Sequence, residues 1–337
     1  MTWRDAHGVA MLAAQHASAA LEPVDAARGW VDPFAAARNA GVLVAFRPLR
    51  TLSGVYVRDS FASGILVNSQ HPAARQRYSA AHELGHHWLG HASTADRDTD
   101  VERAVGNVVR LRDDEMVAEA FAAWFLMPRR LVVTALERMG LTVPSTAGDV
   151  YQLALRLGTS FQATARQLSN LKLATAPQVG GWLRAADRGA LIQLKRSYSP
   201  VPLASARSDV WLLSEGDRGR TATVRPGDRL VLPLREIPSS GYVWQEPAAP
   251  GWHITTGPRG PVAHDNEPDG QLTGQQSERL AVLDAPPADS MSDPETTTVS
   301  SDLTRPWKAE DVADRWRFEV TVAPRQVGMD PVLLAVA

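Results

Sequence analysis

Within Tyr78-Ser-Ala-Ala-His82-Glu83-Leu-Gly-His86-His87-Trp-Leu-Gly-His91, two histidines stand four residues apart with a glutamate directly after the first. In an α-helix, residues four apart lie nearly one above the other, so His82 and His86 can offer ring nitrogens to one ion from consecutive turns. Glu83 sits about 100° round that helix, close enough to reach a metal-bound water. A zinc ion lowers the pKa of such a water towards ~7, and the carboxylate takes its proton, leaving a hydroxide able to attack a peptide carbonyl. The chemistry these residues predict is hydrolysis. A solvated helix face that carries histidines is the bland alternative, and the core spacing of Ala81, Leu84 and Trp88 fits both.

Zinc in a hydrolase takes three protein ligands and leaves a position to water, so a third ligand has to come from elsewhere. His91 lies nine residues after His82, about 180° round an ideal helix, and is expected as a surface histidine near a helix end loosened by Gly90. His87 is rotated about 100° from His86 and is expected to flank the site. Glu115 fits better. The stretch Asp113-Asp-Glu115-Met-Val-Ala118-Glu119-Ala-Phe121-Ala-Ala-Trp124-Phe-Leu-Met127-Pro128 opens with carboxylates, suited to a helix N-terminus, and stops at a proline. Val117, Phe121, Trp124 and Phe125 can form its buried face, with Glu115 and Glu119 stacked on another. In that arrangement Glu115 binds the ion, and Glu119 accepts the N–H of a ligating histidine and fixes its tautomer.

These residues also carry a resemblance. HELGH, preceded by Arg75-Gln-Arg-Tyr78-Ser-Ala-Ala and followed by ExxAxxFAxxFLMP, resembles the ImmA/IrrE family of bacterial metallopeptidases over about residues 25–175. Gly54-Val-Tyr and Gly64-Ile-Leu-Val-Asn68 sit where that family places its short strands. The resemblance implies a gluzincin-like site with His82, His86 and Glu115 on Zn2+ and Glu83 as general base. Glu119 stands where the family usually has asparagine or aspartate.

Composition bounds the alternatives. The chain has 337 residues, enough for two domains with cores of their own. It contains no cysteine, which excludes disulfides, thiolate metal sites and cysteine nucleophiles. Arg4, Asp5 and His7 interrupt the N-terminus, and no stretch reaches transmembrane length, so a cytoplasmic protein without membrane association is expected. The net charge of −2 argues against a surface that coats nucleic acid.

Periodicity orders the rest. Residues about 5–40 are alanine-rich and helical in pattern, with Pro33 near a second helix start. Strand signals follow at Val42–Phe46 and Ile65–Val67. After Pro128, Asp149–Leu157 and Ser160–Leu171 flank a turn at Gly158 with helix-turn-helix spacing. A DNA-reading role there would rest on Arg166, Gln167, Asn170 and Lys172, while Phe161, Ala165, Leu168 and Leu171 suit packing against the rest of the domain.

Beyond Pro200 the alternation turns strand-like, most clearly in Trp316-Arg-Phe318-Glu-Val320-Thr-Val322. Gly227–Leu234 is another strand, its Pro233 suggesting an edge or a bulge. Pro286–Glu295 is polar and acidic, expected as a loop. Three segments resemble the loops of chagasin-like inhibitors of papain-family cysteine peptidases. They are Pro238-Ser239-Ser240-Gly241-Tyr242-Val-Trp244, Gly270-Gln-Leu-Thr-Gly274 and Arg305-Pro306-Trp307, with Ile237 where that family has asparagine. That resemblance implies an immunoglobulin-like fold with the three loops gathered at one end as a wedge.

The expected architecture is therefore multidomain. An α+β, zincin-like, mainly helical metallopeptidase domain at 1–176 includes the helix-turn-helix-like part. A linker at 177–206, an all-β immunoglobulin-like sandwich at 207–326 and a tail at 327–337 follow. The leading function is a zinc endopeptidase cutting a protein partner. The ImmA/IrrE resemblance implies a helix-turn-helix repressor, whose cleavage releases a stress, mobile-element or defence response. Two alternatives stand beside it: a non-catalytic regulator that binds DNA or protein, and an inhibitor of a papain-like cysteine peptidase acting through the sandwich.

Overall fold

The computed structural model describes residues 2–22, 24–25, 29–58, 62–91, 94–97, 113–186, 188–261, 277–287 and 293–329. The chain forms two compact units. One comprises Met1–Leu136, Thr142–Leu183 and Arg325–Ala337, the other Glu137–Leu141 and Arg184–Pro324.

The first unit opens with α1 (Trp3–Leu21), whose start is fixed by a reciprocal pair between Thr2 and Asp5. Its inner stripe is Ala6, Ala10, Ala14, Ala17 and Leu21, side chains small enough to let another helix lie close. The short strands β1 (Val24–Asp25) and β2 (Trp30–Val31) pair antiparallel. Asp32 then caps α2 (Pro33–Asn39), with Pro33 at the first helical position. A sheet follows from β3 (Val42–Arg47), β4 (Leu52–Arg58) and β5 (Ser63–Asn68), in which β3 runs parallel to β5 and β4 antiparallel to it. Buried Asn68 donates its amide to the carbonyls of Leu49 and Leu52, tying the turn into β4.

Against β4 and β5 lies α3 (Ala73–Trp88), the helix that carries the HExxH residues. Arg77 anchors it from below, donating to the carbonyls of Val31 and Gly158 with its guanidinium over the Trp30 ring. After α3, β6 (Thr94–Arg97) pairs antiparallel with the far side of β4. Next, α4 (Asp113–Leu126) packs on both α1 and α3. Its Phe121 and Phe125 are buried and stacked 5.3 Å apart, each contributing roughly 1.5–3 kcal/mol of hydrophobic stabilisation. Gly85 makes that packing possible, since a Cβ there would stand 2.9 Å from Phe121 Cδ1.

Past Pro128 come α5 (Arg129–Arg138), α6 (Ala147–Leu157) and α7 (Phe161–Asn170), with Gly158 in the left-handed conformation between the last two. Phe161, Ala165, Leu168 and Leu171 are buried. Gln167, one of the amides that a DNA-reading helix would need, is buried with its Nε2 donating to the Met127 carbonyl.

The segment expected as a linker at 177–206 is largely structured. It holds most of α8 (Ala176–Ala185) and all of α9 (Arg188–Ser197). Polar contacts inside the second unit tie it down. Lys195 Nζ lies 2.8 Å from Asp209 Oδ1 and 3.0 Å from the Ser208 carbonyl, while Arg229 donates to Ser199 Oγ and to the carbonyls of Val201 and Pro202.

The remaining strands are β7 (Val210–Leu212), β8 (Thr221–Val224), β9 (Arg229–Glu236), β10 (Val243–Trp244), β11 (His253–Thr256), β12 (Gly260–Pro261), β13 (Ser277–Asp284), β14 (Glu295–Arg305) and β15 (Lys308–Val322). They form two sheets, ordered β10-β14-β15-β8 and β11-β13-β9-β7, with β12 also on β13. Along β15 the expected alternation holds from Trp316 to Val320, burying Trp316, Phe318 and Val320, and ends at Thr321, which is buried like Val322. Pro233 lies within β9 at a level where β7, paired only as far as Val231, no longer borders it, so no ladder bond from that side is lost.

After β15 the chain rejoins the first unit. Of the expected tail 327–337, Gly328–Met329 form β16, antiparallel to β3, which completes the order β16-β3-β5-β4-β6. Buried Gln76 of α3 grips the approach to it, donating Nε2 to the Gln326 carbonyl and accepting from the Gln326 N–H.

Candidate metal centre

Packing of α4 on α3 brings Glu115 over the histidine pair. His82 Nε2 and His86 Nε2 lie 3.3 and 3.4 Å from Glu115 Oε2, and 3.2 Å from each other. Three donors on a tetrahedral zinc, with bonds of roughly 2.05 Å, would stand about 3.3 Å apart. The three atoms thus already form the triangle that such an ion requires. His82, His86 and Glu115 are the group able to hold a metal ion among the described residues.

Electrostatics fit the same use. Burial would push the Glu115 carboxyl up, but hydrogen bonds first with His82 and then with His86 outweigh it and hold the group far below its ordinary value. Glu115 is consequently a carboxylate at neutral pH, the form a cation binds. The Glu115 side chain keeps 22% exposure.

Glu83 is fully buried. A Cβ on Gly54 of β4 would come within 3.0 Å of both its Cγ and its Oε1, so the strand backbone is a wall against the carboxyl. Two residues along β4, Tyr56 places its hydroxyl 3.0 Å from His87 Nδ1. Burial, with Arg58 nearby, lowers the His87 pKa and favours its neutral form. Tyr78 donates its hydroxyl to Glu119 Oε1 at 2.9 Å, and Glu119 Oε2 lies 3.8 Å from His82 Nδ1. Tyr78 thus props Glu119 beside the His82 ring.

His91 departs from expectation. It is not a surface side chain: it is 15% exposed, with Nδ1 3.0 Å from Nδ1 of His86. Ideal-helix angles put it on the opposite side because they carry the helix past Gly90, where the chain in fact reverses at φ +72°. The glycine itself was the available signal, since a residue just beyond a left-handed cap folds back on the last turn. The role of Gly54 had no signal in side-chain chemistry at all.

In the second unit, the segments 238–242 and 305–307 come together. The Trp307 ring rests against Gly241, where a Cβ would lie 3.0 Å away, and Trp307 is 74% exposed. Arg305 stacks over Tyr242 at 4.6 Å, and Asp311 joins both, accepting from Tyr242 at 3.2 Å and pairing with Arg305 at 3.4 Å. Gly270 and Gly274 lie outside the described residues.

Residues 37–169 match the family model described as the IrrE N-terminal-like domain of Peptidase_M78, which spans α3, α4 and the metal-binding triangle. A search of curated proteins found no match. Solved structures similar to part of the chain include the cysteine protease inhibitor EhICP2 from Entamoeba histolytica, at 24% identity and TM-score 0.27, covering 34% of this chain and 95% of that one. Amebosin is similar at 20% identity and TM-score 0.24, with the same coverages. PbICP-C, in a complex with falcipain-2, is similar at 15% identity and TM-score 0.21, covering 36% of this chain and 95% of that one. Among the described residues, no helix is long and apolar enough to cross a membrane.

Proposed function

We propose that the first unit is a zinc-dependent endopeptidase of the gluzincin type that cuts a protein partner. The observation carrying this is the triangle of donor atoms at 3.2–3.4 Å with the Glu83 carboxyl on the same helix turn. His82, His86 and Glu115 would hold the ion, which when bound supplies Lewis acidity to water and carbonyl. Glu83 takes the proton of the attacking water at its carboxylate and returns it to the leaving amine. The Gly54 backbone confines that carboxylate on one side, so its basic oxygens keep one orientation. Glu119, steadied by Tyr78, holds Oε2 3.8 Å from His82 Nδ1, and that negative charge favours the tautomer with its proton on Nδ1 and Nε2 free to bind.

The substrate, on the motif resemblance, is a helix-turn-helix repressor, and we place the activity in the cytoplasm as part of a stress, mobile-element or defence response. The test is Glu83→Gln. It should retain the metal and the fold yet abolish proteolysis, and it should trap the partner in a pull-down. Undiminished activity in vivo would favour a non-catalytic regulator.

A second reading concerns the other unit, taken as an immunoglobulin-like sandwich. The exposed Trp307 seated on Gly241, beside the Arg305–Tyr242 stack, favours a protein-binding edge. Its service is substrate recruitment, with capture of a papain-like cysteine peptidase as the alternative. Inhibition of papain by the full chain separates them.

A further inference from the structure

We propose that His91 is a positioning residue for the metal ligand His86, delivered to it by the turn that ends α3. The inference rests on the metal-binding reading above.

The helix closes with two hydrogen bonds of the Schellman type. The Gly90 N–H donates to the His87 carbonyl at 3.1 Å and the His91 N–H to the His86 carbonyl at 2.9 Å. With Gly90 left-handed, this pairing returns the residue after the glycine to the level of the residue five before it. A hydrophobic contact commonly fills that place. Here it is filled by two imidazoles, with ring centroids 5.1 Å apart and Nδ1 atoms at 3.0 Å.

The tautomers then follow from chemistry. His86 is fully buried and points Nε2 at Glu115 and His82, so a ring giving that lone pair to an ion carries its proton on Nδ1. That proton has His91 Nδ1 as its acceptor. His91 must then carry its own proton on Nε2, which faces Asp114 Oδ1 at 3.9 Å. The order Asp114, His91, His86 runs from the start of α4 back to the ion site. His91 cannot serve the same ion as His86, because its near nitrogen meets the side of His86 turned away from Glu115. The two rings thus have different neighbours on their Nδ1 sides, the Glu119 carboxylate at 3.8 Å for His82 and the His91 imidazole at 3.0 Å for His86.

The experiment uses the full chain, stripped of metal, with zinc affinity measured by competition against a chromophoric chelator and the site geometry read from the visible spectrum with cobalt(II). His91→Ala should weaken zinc binding 10- to 100-fold and alter the cobalt spectrum, with the unfolding midpoint of the metal-free protein little changed. His91→Gln, whose amide oxygen can accept the same proton, should recover much of the affinity. Wild-type affinity and spectrum in His91→Ala would overturn the proposal. So would a loss of metal-free stability that accounts for the whole affinity change, or a His91→Gln variant no better than alanine. Failure of the wild-type chain to bind zinc would instead remove the metal reading itself, a result distinguishable from these.

Discussion

Gly54 and Glu83 stand so close that a single added carbon on the glycine would lie 3.0 Å from both Cγ and Oε1 of the glutamate. The contact joins a strand to α3 at the carboxyl proposed to transfer the proton. It also asks nothing of the three proposed metal ligands, which lie on α3 and α4.

Gly54→Ala should therefore lower proteolysis by tenfold or more while zinc content stays at the wild-type level, because a shift of about 1 Å in a catalytic group can cost 100-fold. Turnover and metal content measured on the same preparation check this. Unchanged turnover would mean that the carboxyl position is not critical, or that the strand yields.

Removal of ligands should divide the carboxylates of α4. Glu115→Ala should abolish stoichiometric zinc binding, whereas Glu119→Ala should keep the ion with an affinity reduced 10- to 100-fold. Addition of zinc should raise the wild-type unfolding temperature, as expected for a ligand that binds only the folded state. A Glu115→Ala chain that still binds one zinc tightly would show that the third ligand lies elsewhere.

Trp307→Ala should weaken capture of a protein partner by roughly 2 kcal/mol or more, the scale of an aromatic hot spot, and leave zinc content unchanged. Gly241→Ala should have a comparable effect by a different route, since φ is +78° there and the new methyl group would press on the indole. Titration of each variant against the trapped partner is the measurement. Equal affinity for all three proteins would dismiss this edge as the docking surface.

Asp228 gives the second unit a pH dependence. Burial, and next to it the competing pull of Arg225 and the push of the Asp209 carboxylate, leave its pKa raised to about 6. A carboxyl with a raised folded-state pKa binds its proton more tightly folded than unfolded, so its contribution is present in acid and is lost as pH rises through about 6. The unfolding midpoint of this unit should fall as pH rises from about 4 to 6, between the ordinary carboxyl value and the raised one, and level off above that. Asp228→Asn should flatten that slope while losing one acceptor bond, worth about 1 kcal/mol. An identical slope in the two proteins would assign the effect to other groups.

Much of the site was legible because helical spacing is rigid. His82, His86 and the Glu115–Glu119 pair could be placed from residue intervals alone, and the alternation of Trp316–Val322 marked a half-buried strand in the same way. What escaped lies where the chain leaves regular structure. His91 was misplaced because an ideal helix was extended past Gly90. Gly54 matters through the side chain it lacks. Gly328–Met329 is too short to show any period, and its partner β3 is almost three hundred positions earlier in the sequence. The structured stretch from Lys195 to Pro202 looked like a linker because polar contacts to Asp209 and Arg229, more than an apolar stripe of its own, hold it in place.

The return of residues 325–329 to the first sheet also sets a timetable. A ribosome releases the triangle of ligands early, but the border strand beside β3 and the backbone gripped by Gln76 emerge only after every strand of the second unit has been made. The first unit thus remains one strand short throughout synthesis of the second, and a stop codon placed between the two would leave β3 without its border strand.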